Sequence, residues 1–482
     1  MNRVVIAEES LQDQIGDILK SEKQQIGLLI GQLTANKHYV VYMIKTPSED
    51  DENEKENEAG TMTAKEKAKK KKKKPSEEET EEVGALKTTS DSWIGLHAKQ
   101  VQRMLPGGLD VIGVYAAAPQ SVMEKALTRL RQIIYAVYKI LNKNSLITTT
   151  TADGFSNERI VLQICQTTRK VLCKTFDGEN RNDSLRASDF KYQTSLTDRW
   201  LTLHTRVAVD HSFVIPVESK SEKFFNQLQS GLSDFSENVQ ASVGTVDGIL
   251  RDSNEPLFVP KQTEPTGGGG GKKKGGKKQQ QQNENFDRSQ LSFNVDLFLQ
   301  MLVPTDPAPV QDIVNRFHMR GTMQARAFVH NKATVKEGLQ ALKTDIIRGM
   351  KARCDLLYED LLDAKEDDTS STAMETPMRV FTHLPGQTCG FCDYLFTDET
   401  PQDVIDRCRE ILDLDLDLEN IETNLEKQPD MNELESSEDE IEGKKQNENQ
   451  PASDRNYTGL LIGGAVSVLA AAISYLFVGQ ES

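Results

Sequence analysis

One stretch near the end of the chain, residues 457–478, carries no charged side chain and has the sequence YTGLLIGGAVSVLAAAISYLFV. As a helix of roughly 1.5 Å rise per residue it would span about 33 Å, enough to cross a bilayer core of about 30 Å. Hydrocarbon offers no hydrogen-bond partners, so a single apolar span has to be helical. The alternative is a buried core helix, but the acidic and polar residues before the stretch offer it no packing partner. The sequence therefore predicts one transmembrane helix, with the lipid bilayer as a partner.

The flanks of this helix predict its topology. Only residues 479–482 follow it, so we expect insertion after translation, as in a tail-anchored protein, with the bulk of the chain in the cytosol. The N-terminal apolar run, Val4–Ala7, is too short for the core of a signal peptide. Six cysteines in 482 residues are too few for a disulfide scaffold and favour a reducing compartment. Because no Lys or Arg follows the helix, we expect the endoplasmic reticulum membrane rather than the mitochondrial outer membrane.

The same helix has a face of small residues. They recur at every fourth position, as Gly459, Gly463, Ser467 and Ala471. This spacing lets another helix approach closely and predicts self-association or contact with the helices of a client protein. The alternative is that glycine and alanine are simply common in such helices.

Polar, low-complexity segments divide the rest of the chain. Residues 49–82 and 261–285 are rich in Lys, Glu, Gln and Gly and are predicted to be disordered. Residues 413–456 are predicted to be a disordered acidic linker, because their first part, 413–442, holds 13 Asp or Glu and one Lys. The lysine runs lack interleaved aromatic residues, so no nucleic-acid partner is expected.

Between these segments, apolar residues alternate between strand and helix periods, which predicts a mixed α/β (α+β) body in two folded regions. The predicted division is a first domain at 1–260, a linker at 261–285, a second region at 286–412, the acidic linker at 413–456 and the anchor at 457–478. In the first domain the order is strand, helix, strand pair, helix, strand and one long helix over 121–141. Further strands are predicted at 158–166, 169–176, 201–217, 291–303, 321–331, 377–384 and 392–397, and further helices at 334–363 and 401–412.

The element order of the first domain, with GVYAAAP at 113–119, resembles the MPN domain, the fold of the JAMM metalloproteases that remove ubiquitin-like modifiers. In active members two histidines bind zinc where this chain has Ala116 and Ala118. A serine and an aspartate stand where it has Ala126 and Arg129. Zinc needs imidazole, carboxylate or thiolate donors. The resemblance therefore implies an inactive member with no metal or other cofactor, whose fold is kept for binding.

Several motifs together resemble the odorant-response-abnormal protein four family. They are GLLIGQ at 27–32, RMLPGGLDVIGV at 103–114, the Trp-containing segment Leu196–Leu203, RVF with LPG at 379–386, CDYLF at 392–396 and the apolar stretch near the end. RMLPGGL is the most specific of them. The resemblance implies a reticulum membrane protein that helps seven-helix receptors mature. It also implies that the chain holds the cysteine protease specific for the ubiquitin-fold modifier at that membrane, and it supplies no catalytic residue.

Two readings stay open for RMLPGGL, and two for a cysteine pair in the second predicted region. Proline and glycine end the helix and turn the chain into a buried strand, which favours Met104 and Leu105 as core residues over contact residues. The pair Cys389 and Cys392, with His383 and Cys408, could bind zinc or do redox chemistry. Buried thiols are favoured, because there is no second close pair and no sign that the motif opens a helix.

A thiol protease is the enzymatic alternative. Cys165 or Cys173 could act with His204 or His211, but no local sequence activates a nucleophile. The sequence therefore predicts a non-enzymatic adaptor that recruits the modifier-specific protease and supports receptor maturation. The alternatives are a receptor-export chaperone that acts independently of the protease and an active thiol hydrolase.

Overall fold

A computed structural model of the chain describes residues 3–21, 23–49, 85–143, 146, 157–216, 224–259, 288–299, 313–363, 376–384 and 387–426. The predicted insertion at 49–82, apart from its first residue, lies outside these ranges. So do the predicted linker at 261–285 and the apolar stretch 457–478 with its small-residue face. Within the described ranges, no helix combines the length and the apolar character that a membrane crossing requires.

The architecture is mixed α/β, as predicted. The helices are α1 (Ser10–Ser21), α2 (Ala85–Thr88), α3 (Asp91–Arg103), α4 (Gln120–Lys125), α5 (Leu127–Asn142), α6 (Phe224–Ala241), α7 (Val335–Asp363) and α8 (Pro401–Leu412). The strands are β1 (Val4–Glu8), β2 (Gln25–Leu33), β3 (Lys37–Lys45), β4 (Asp110–Ala118), β5 (Glu158–Cys165), β6 (Lys170–Asp177), β7 (Arg186–Gln193), β8 (Leu201–Pro216), β9 (Val243–Val246), β10 (Ser292–Phe298), β11 (Ile313–Val329), β12 (Met378–His383), β13 (Gly390–Leu395) and β14 (Ile421–Glu422).

The first seven strands close into a barrel in the order β1-β3-β2-β4-β5-β6-β7. Strand β4, between β2 and β5, is apolar along nearly its whole length because both of its faces are buried. Alternate side chains point to opposite faces of a strand. Ala116 and Ala118 accordingly enter a core shared with α3 and α5, whereas Tyr115 and Ala117 enter a second core shared with α1.

A four-stranded sheet, β11-β8-β10-β9, forms the second layer. Strands β8 and β11 pair antiparallel along the whole of β8, and α6 and α7 pack on them over a separate apolar core. The domain boundary predicted at 260 falls inside this layer, since β8 precedes it and its partner β11 follows it.

A third sheet, β13-β12-β14, contains Ile421 and Glu422 of the predicted acidic linker. The prediction of disorder is wrong for 413–426. Leu414 and Leu416 are buried in the same core as the barrel helices, and Glu426 is 8% exposed. The segment LDLDLDL alternates apolar and acidic residues, so its first three leucines, at 412, 414 and 416, face the core while its aspartates face outward.

The observed elements differ from the predicted ones at three further places. The single helix predicted over 121–141 is two helices that meet at Ala126. Strand β7 was not predicted because its residues are mostly exposed and polar. Helix α6 was not predicted although Leu228, Leu232 and Val239 give it an apolar face at helical spacing.

Candidate functional site

The positions that correspond to the zinc-binding histidines of MPN proteases lie in the apolar core. Ala116 and Ala118 are both fully buried on β4. Ala118 pairs with Cys165 across the parallel ladder, and its carbonyl accepts a 3.1 Å hydrogen bond from the backbone of Gln166. Neither methyl group can ligate a metal. Among the residues that the structure describes, no three or more His, Cys, Asp or Glu form a group that could hold a metal ion.

The position of the aspartate ligand is filled by Arg129, on α5. Its guanidinium forms an ion pair with Asp91 and donates a 2.8 Å hydrogen bond to the carbonyl of Thr89. These contacts fix the start of α3 against α5. Arg129 therefore has a structural role in joining two helices of the barrel layer.

The family motif RMLPGGL joins all three sheets. Gly107 pairs with Ala327 of β11 through a short parallel bridge, where its carbonyl accepts a 2.8 Å hydrogen bond from the backbone of Phe328. The carbonyl of Met104 accepts a 2.9 Å hydrogen bond from the backbone of Cys392 on β13. The motif then continues directly into β4 of the barrel. Met104 and Leu105 are 3% and 1% exposed, which confirms that they are core residues.

The two glycines of this motif are required by close backbone contacts. A β-carbon on Gly107 would lie 2.3 Å from the carbonyl oxygen of Ala341 on α7. Gly108 has a φ of +78°, and a β-carbon there would lie 1.9 Å from the carbonyl oxygen of Phe328. The motif thus brings β11 and α7 into direct backbone contact with the start of the barrel strand β4.

A buried ion pair lies between β12, α7 and β11. The guanidinium of Arg379 donates two hydrogen bonds, of 2.7 and 2.8 Å, to the carboxylate of Asp345, and the two side chains are 1% and 0% exposed. Burial lowers the pKa of the Arg379 guanidinium, but the attraction of the Asp345 carboxylate is stronger, so the pKa is raised overall. Asp345 also accepts a 2.8 Å hydrogen bond from the backbone of Arg326. This pair links β12 and α7 to β11.

Two glutamates attach residues 421–426 to this centre. Glu426 accepts hydrogen bonds from the guanidinium of Arg353 and from the backbone amides of Arg379 and Gln324, the latter two at 2.8 and 2.7 Å. Glu422 accepts two 3.0 Å hydrogen bonds from the guanidinium of Arg326. The last described residues are therefore fixed to the body by charge-assisted hydrogen bonds.

Glu422 also contacts His383, and its environment predicts an effect of pH on stability. The hydrogen bond with His383, together with Arg326, lowers the pKa of Glu422 to about 2, against burial, which raises it. A carboxyl whose pKa is lowered by folding stabilises the fold above its unfolded pKa and loses that contribution as pH falls. We expect the free energy of unfolding to fall between about pH 4.5 and pH 2 through this group.

Urea titrations at a series of acidic pH values measure this effect. In Glu422→Gln the decline should be shallower, whereas the exposed neighbour Glu419, replaced in the same way, should leave it unchanged. Parallel acid profiles for the wild type and Glu422→Gln would show that Glu422 makes no such contribution.

The cysteine pair proposed for zinc or redox chemistry is part of the core. Cys389, Cys392 and Cys408 are free thiols and fully or almost fully buried. Burial raises the pKa of Cys392 to about 11, although Arg379 donates a 3.0 Å hydrogen bond to its Sγ, and raises that of Cys408 to about 12. His383 contacts Glu422 instead of these thiols.

These thiols should therefore resist alkylation in the native protein, because the thiolate is the reactive form. We expect iodoacetamide at pH 8 to leave Cys389, Cys392 and Cys408 unmodified until denaturant is added, as read by mass spectrometry of the peptides. Cys165 should react before them. Burial opposes its ionisation, but hydrogen bonds from Thr168 and Thr167 prevail and lower its pKa. Equal labelling of Cys392 in native and denatured protein would contradict the buried arrangement.

The residues named for a thiol protease belong to different sheets. Cys165 and Cys173 lie on β5 and β6 of the barrel, while His204 and His211 lie on β8 of the second layer. The ring of His211 packs edge-on against Phe235, and burial lowers the pKa of His204 to about 4. A nucleophile and its base must lie within hydrogen-bond reach of each other. The structure does not bring the four residues into that arrangement.

A cavity of about 210 Å³ lies between the barrel and α7, beside the RMLPGGL motif. Sequence reasoning missed it, because its wall is assembled from the ends of β2, β4 and β5 and from one face of α7. In its wall the guanidinium of Arg348 donates hydrogen bonds to the carboxylate of Asp110, at 2.9 Å, and to the carbonyl of Leu109, at 3.0 Å. Asp110 also accepts a 3.0 Å hydrogen bond from Gln102.

Comparisons with known proteins agree with the family resemblance. The chain is 29% identical to the protein odr-4 homolog of Mus musculus over 88% of this chain and 86% of that protein. It is 29% identical to the Xenopus laevis homolog over 99% of this chain and all of that protein, and 23% identical to odorant response abnormal protein 4 of Caenorhabditis elegans over 74% and 70%.

Among solved structures, the crystal structure of UfSP from C. elegans matches 86% of this chain and 57% of that chain, with 9% identity and a TM-score of 0.39. A score at that level supports no conclusion about fold or function. The model of the family described as odorant response abnormal 4-like matches residues 27–423, which span all three sheets. The chain therefore belongs to the ODR4-like family.

Proposed function

We propose that this protein is a non-enzymatic adaptor in the maturation and trafficking of membrane receptors. One observation supports the proposal above others. The motifs that mark the family, RMLPGGL and the segment beginning at Arg379, join three sheets through backbone contacts and a buried ion pair. Their residues stabilise a scaffold, and a rigid scaffold suits a protein that presents surfaces to partners.

The second part of the proposal concerns the membrane. We propose that residues 457–478 anchor the protein in the endoplasmic reticulum membrane and that the MPN-like body faces the cytosol. There the body recruits the cysteine protease specific for the ubiquitin-fold modifier and contacts seven-helix receptors or other membrane clients. Confinement at a membrane raises the effective concentration of a recruited enzyme toward substrates there without any new catalytic contact. The ion pairs of Glu422 and Glu426 support this arrangement, because they fix the first part of the acidic segment to the body.

Affinity purification of the full chain and of a form ending at Ser453 tests both parts of the proposal. Partners are identified by mass spectrometry, and each form is followed by membrane fractionation. We expect the protease to copurify with both forms but to reach the membrane fraction only with the full chain. Absence of the protease from both purifications would exclude recruitment. Equal membrane association of both forms would exclude the anchor.

A second candidate is a receptor-export chaperone that acts without the protease. The name of the C. elegans relative, odorant response abnormal protein 4, favours it, because that name refers to odorant response alone. Surface biotinylation of a seven-helix receptor distinguishes the two candidates. Cells that lack this protein are compared with cells that also lack the protease, and the protein is then expressed again in both. Full recovery of receptor export without the protease supports the independent chaperone. Failure to recover export without the protease supports the adaptor.

A further inference from the structure

We propose that the cavity between the barrel and α7 binds a small molecule that carries a phosphate or carboxylate group, with Arg348 as its main contact. The proposal does not depend on the adaptor role. It rests on the charges of the cavity wall, on the donors available there and on the size of the space.

The first observation is that two guanidinium groups act on one carboxylate. Arg348 is hydrogen-bonded to Asp110, and Arg159 from β5 lines the same cavity. Burial would raise the pKa of Asp110, but Arg348 and Arg159 together lower it. Arg159 in turn has its pKa lowered, by burial and by repulsion from Arg348, although Asp110 opposes both effects. The carboxylate of Asp110 is therefore shared between two guanidinium groups of the cavity wall.

A third cationic group lies one helical turn from Arg348. Lys351 lines the cavity on the same face of α7, together with Thr344. Burial lowers the pKa of Lys351, and repulsion from Lys99 and Arg348 adds to that effect against the attraction of Asp355. A bound anion would relieve the repulsion between these cations.

The second acidic side chain of the wall, Glu337, is engaged at the start of α7. Among the described residues that line the cavity, the carboxylates are Asp110 and Glu337. Glu337 accepts hydrogen bonds from the backbone and the hydroxyl of Thr334, at 2.7 and 3.1 Å, and so caps the start of α7. Its charge is thereby directed to the helix end and away from the arginines.

The donors and the volume define the class of ligand. A guanidinium has five N–H donors, and within the described part of the chain Arg348 uses one on Asp110 and one on Leu109. Its planar fork matches the oxygens of a carboxylate or phosphate. The amides of Asn142 and Asn157 line the same space. The cavity, of about 210 Å³, exceeds the roughly 150 Å³ that accommodates benzene in an engineered cavity. A small polar anion fits these properties.

Isothermal titration calorimetry on the full chain tests the proposal. The probes are inorganic phosphate and acetate, with sodium chloride at equal ionic strength as the reference. We expect saturable binding of at least one probe. Arg348→Gln should weaken it at least tenfold, because the anion loses its charge-assisted hydrogen bonds to the guanidinium. Lys351→Gln should weaken it about threefold or more, and circular dichroism confirms that each variant is folded.

Arg129→Gln is the matched control. Arg129 also pairs with an aspartate and donates to a backbone carbonyl, and the two pairs are similarly exposed, at 29% and 34% against 21% and 35%. It does not line the cavity, so binding should change less than twofold. If Arg348→Gln does not fold, the affinities of Lys351→Gln and Arg129→Gln for the probe are compared instead, and only the first should be weakened.

Vesicles that contain phosphatidic acid distinguish a lipid headgroup from a free anion. The proposal is supported if a free probe binds saturably and the cavity variants, but not the control, weaken that binding. The probe that binds more tightly then identifies the kind of anion. Absence of saturable binding, equal weakening in the control, or binding to vesicles alone would overturn it.

Discussion

Replacing Gly108 with alanine should lower the free energy of unfolding by about 3 kcal/mol or more, a large fraction of the roughly 5–15 kcal/mol that is typical of a folded protein. Its φ of +78° is unfavourable for any residue with a β-carbon, and the added carbon would lie 1.9 Å from the carbonyl oxygen of Phe328. That oxygen belongs to the backbone of β11, so relief of the clash must separate β11 from the barrel. Urea unfolding followed by circular dichroism measures the effect.

Gly248 provides the matched control for this prediction. It has nearly the same φ, +76°, but a β-carbon there would meet nothing within 4 Å. Gly248→Ala should therefore show the backbone strain alone, about 1 kcal/mol. Equal losses in the two variants would mean that strain, and not the contact with β11, explains the glycine of RMLPGGL.

Replacing Asp345 with asparagine should lower the free energy of unfolding by about 3–5 kcal/mol, because it leaves the guanidinium of Arg379 buried without its counter-charge. The side chain keeps its size, so packing is little changed. Since Asp345 also accepts from the backbone of Arg326, the loss should include local opening of β11. Hydrogen exchange of the β11 amides, measured beside urea unfolding, reports that opening.

Two further variants locate the cause of this loss. Asp17→Asn removes a carboxylate from the exposed ion pair with Lys20 and should leave the free energy of unfolding almost unchanged. The double variant Asp345→Leu with Arg379→Met removes both buried charges and should recover much of the stability lost in Asp345→Asn. A double variant no more stable than Asp345→Asn would show that the charge left unpaired is not the cause.

The periodic parts of this fold could be predicted from the sequence. Strand β4 is a continuous apolar run between PGG and a proline, and α3 has apolar residues at helical spacing, so both were placed within a few residues. Strand β7 could not be placed, because its exposed polar residues carry no apolar alternation. The acidic composition of residues 413–426 predicts disorder, but Leu414 and Leu416 continue an alternation that begins at Leu412 and bury the segment against the core.

The centre of the molecule could not be predicted for a different reason. Arg379 and Asp345 are 34 residues apart, and Arg348 and Asp110 are 238 apart. Nothing local in the sequence distinguishes these charged residues from the many others in the chain. Their pairing follows from the packing of α7 on the barrel, and that packing depends on the contact of Gly107 with the carbonyl of Ala341. The motif was recognised from sequence, but its partners were not.

The pairing of β8 with β11 affects the order in which the chain can fold during synthesis. Strand β8 begins at Leu201, and the partner of that residue is Val329. At a translation rate of about 5–20 residues per second, the ribosome needs roughly 6–26 s to make the intervening chain. For that time a strand with several buried apolar residues has an unpaired edge, a state prone to aggregation. We therefore expect newly made protein to need chaperones until β11 emerges, and slower translation beyond residue 216 should increase that need.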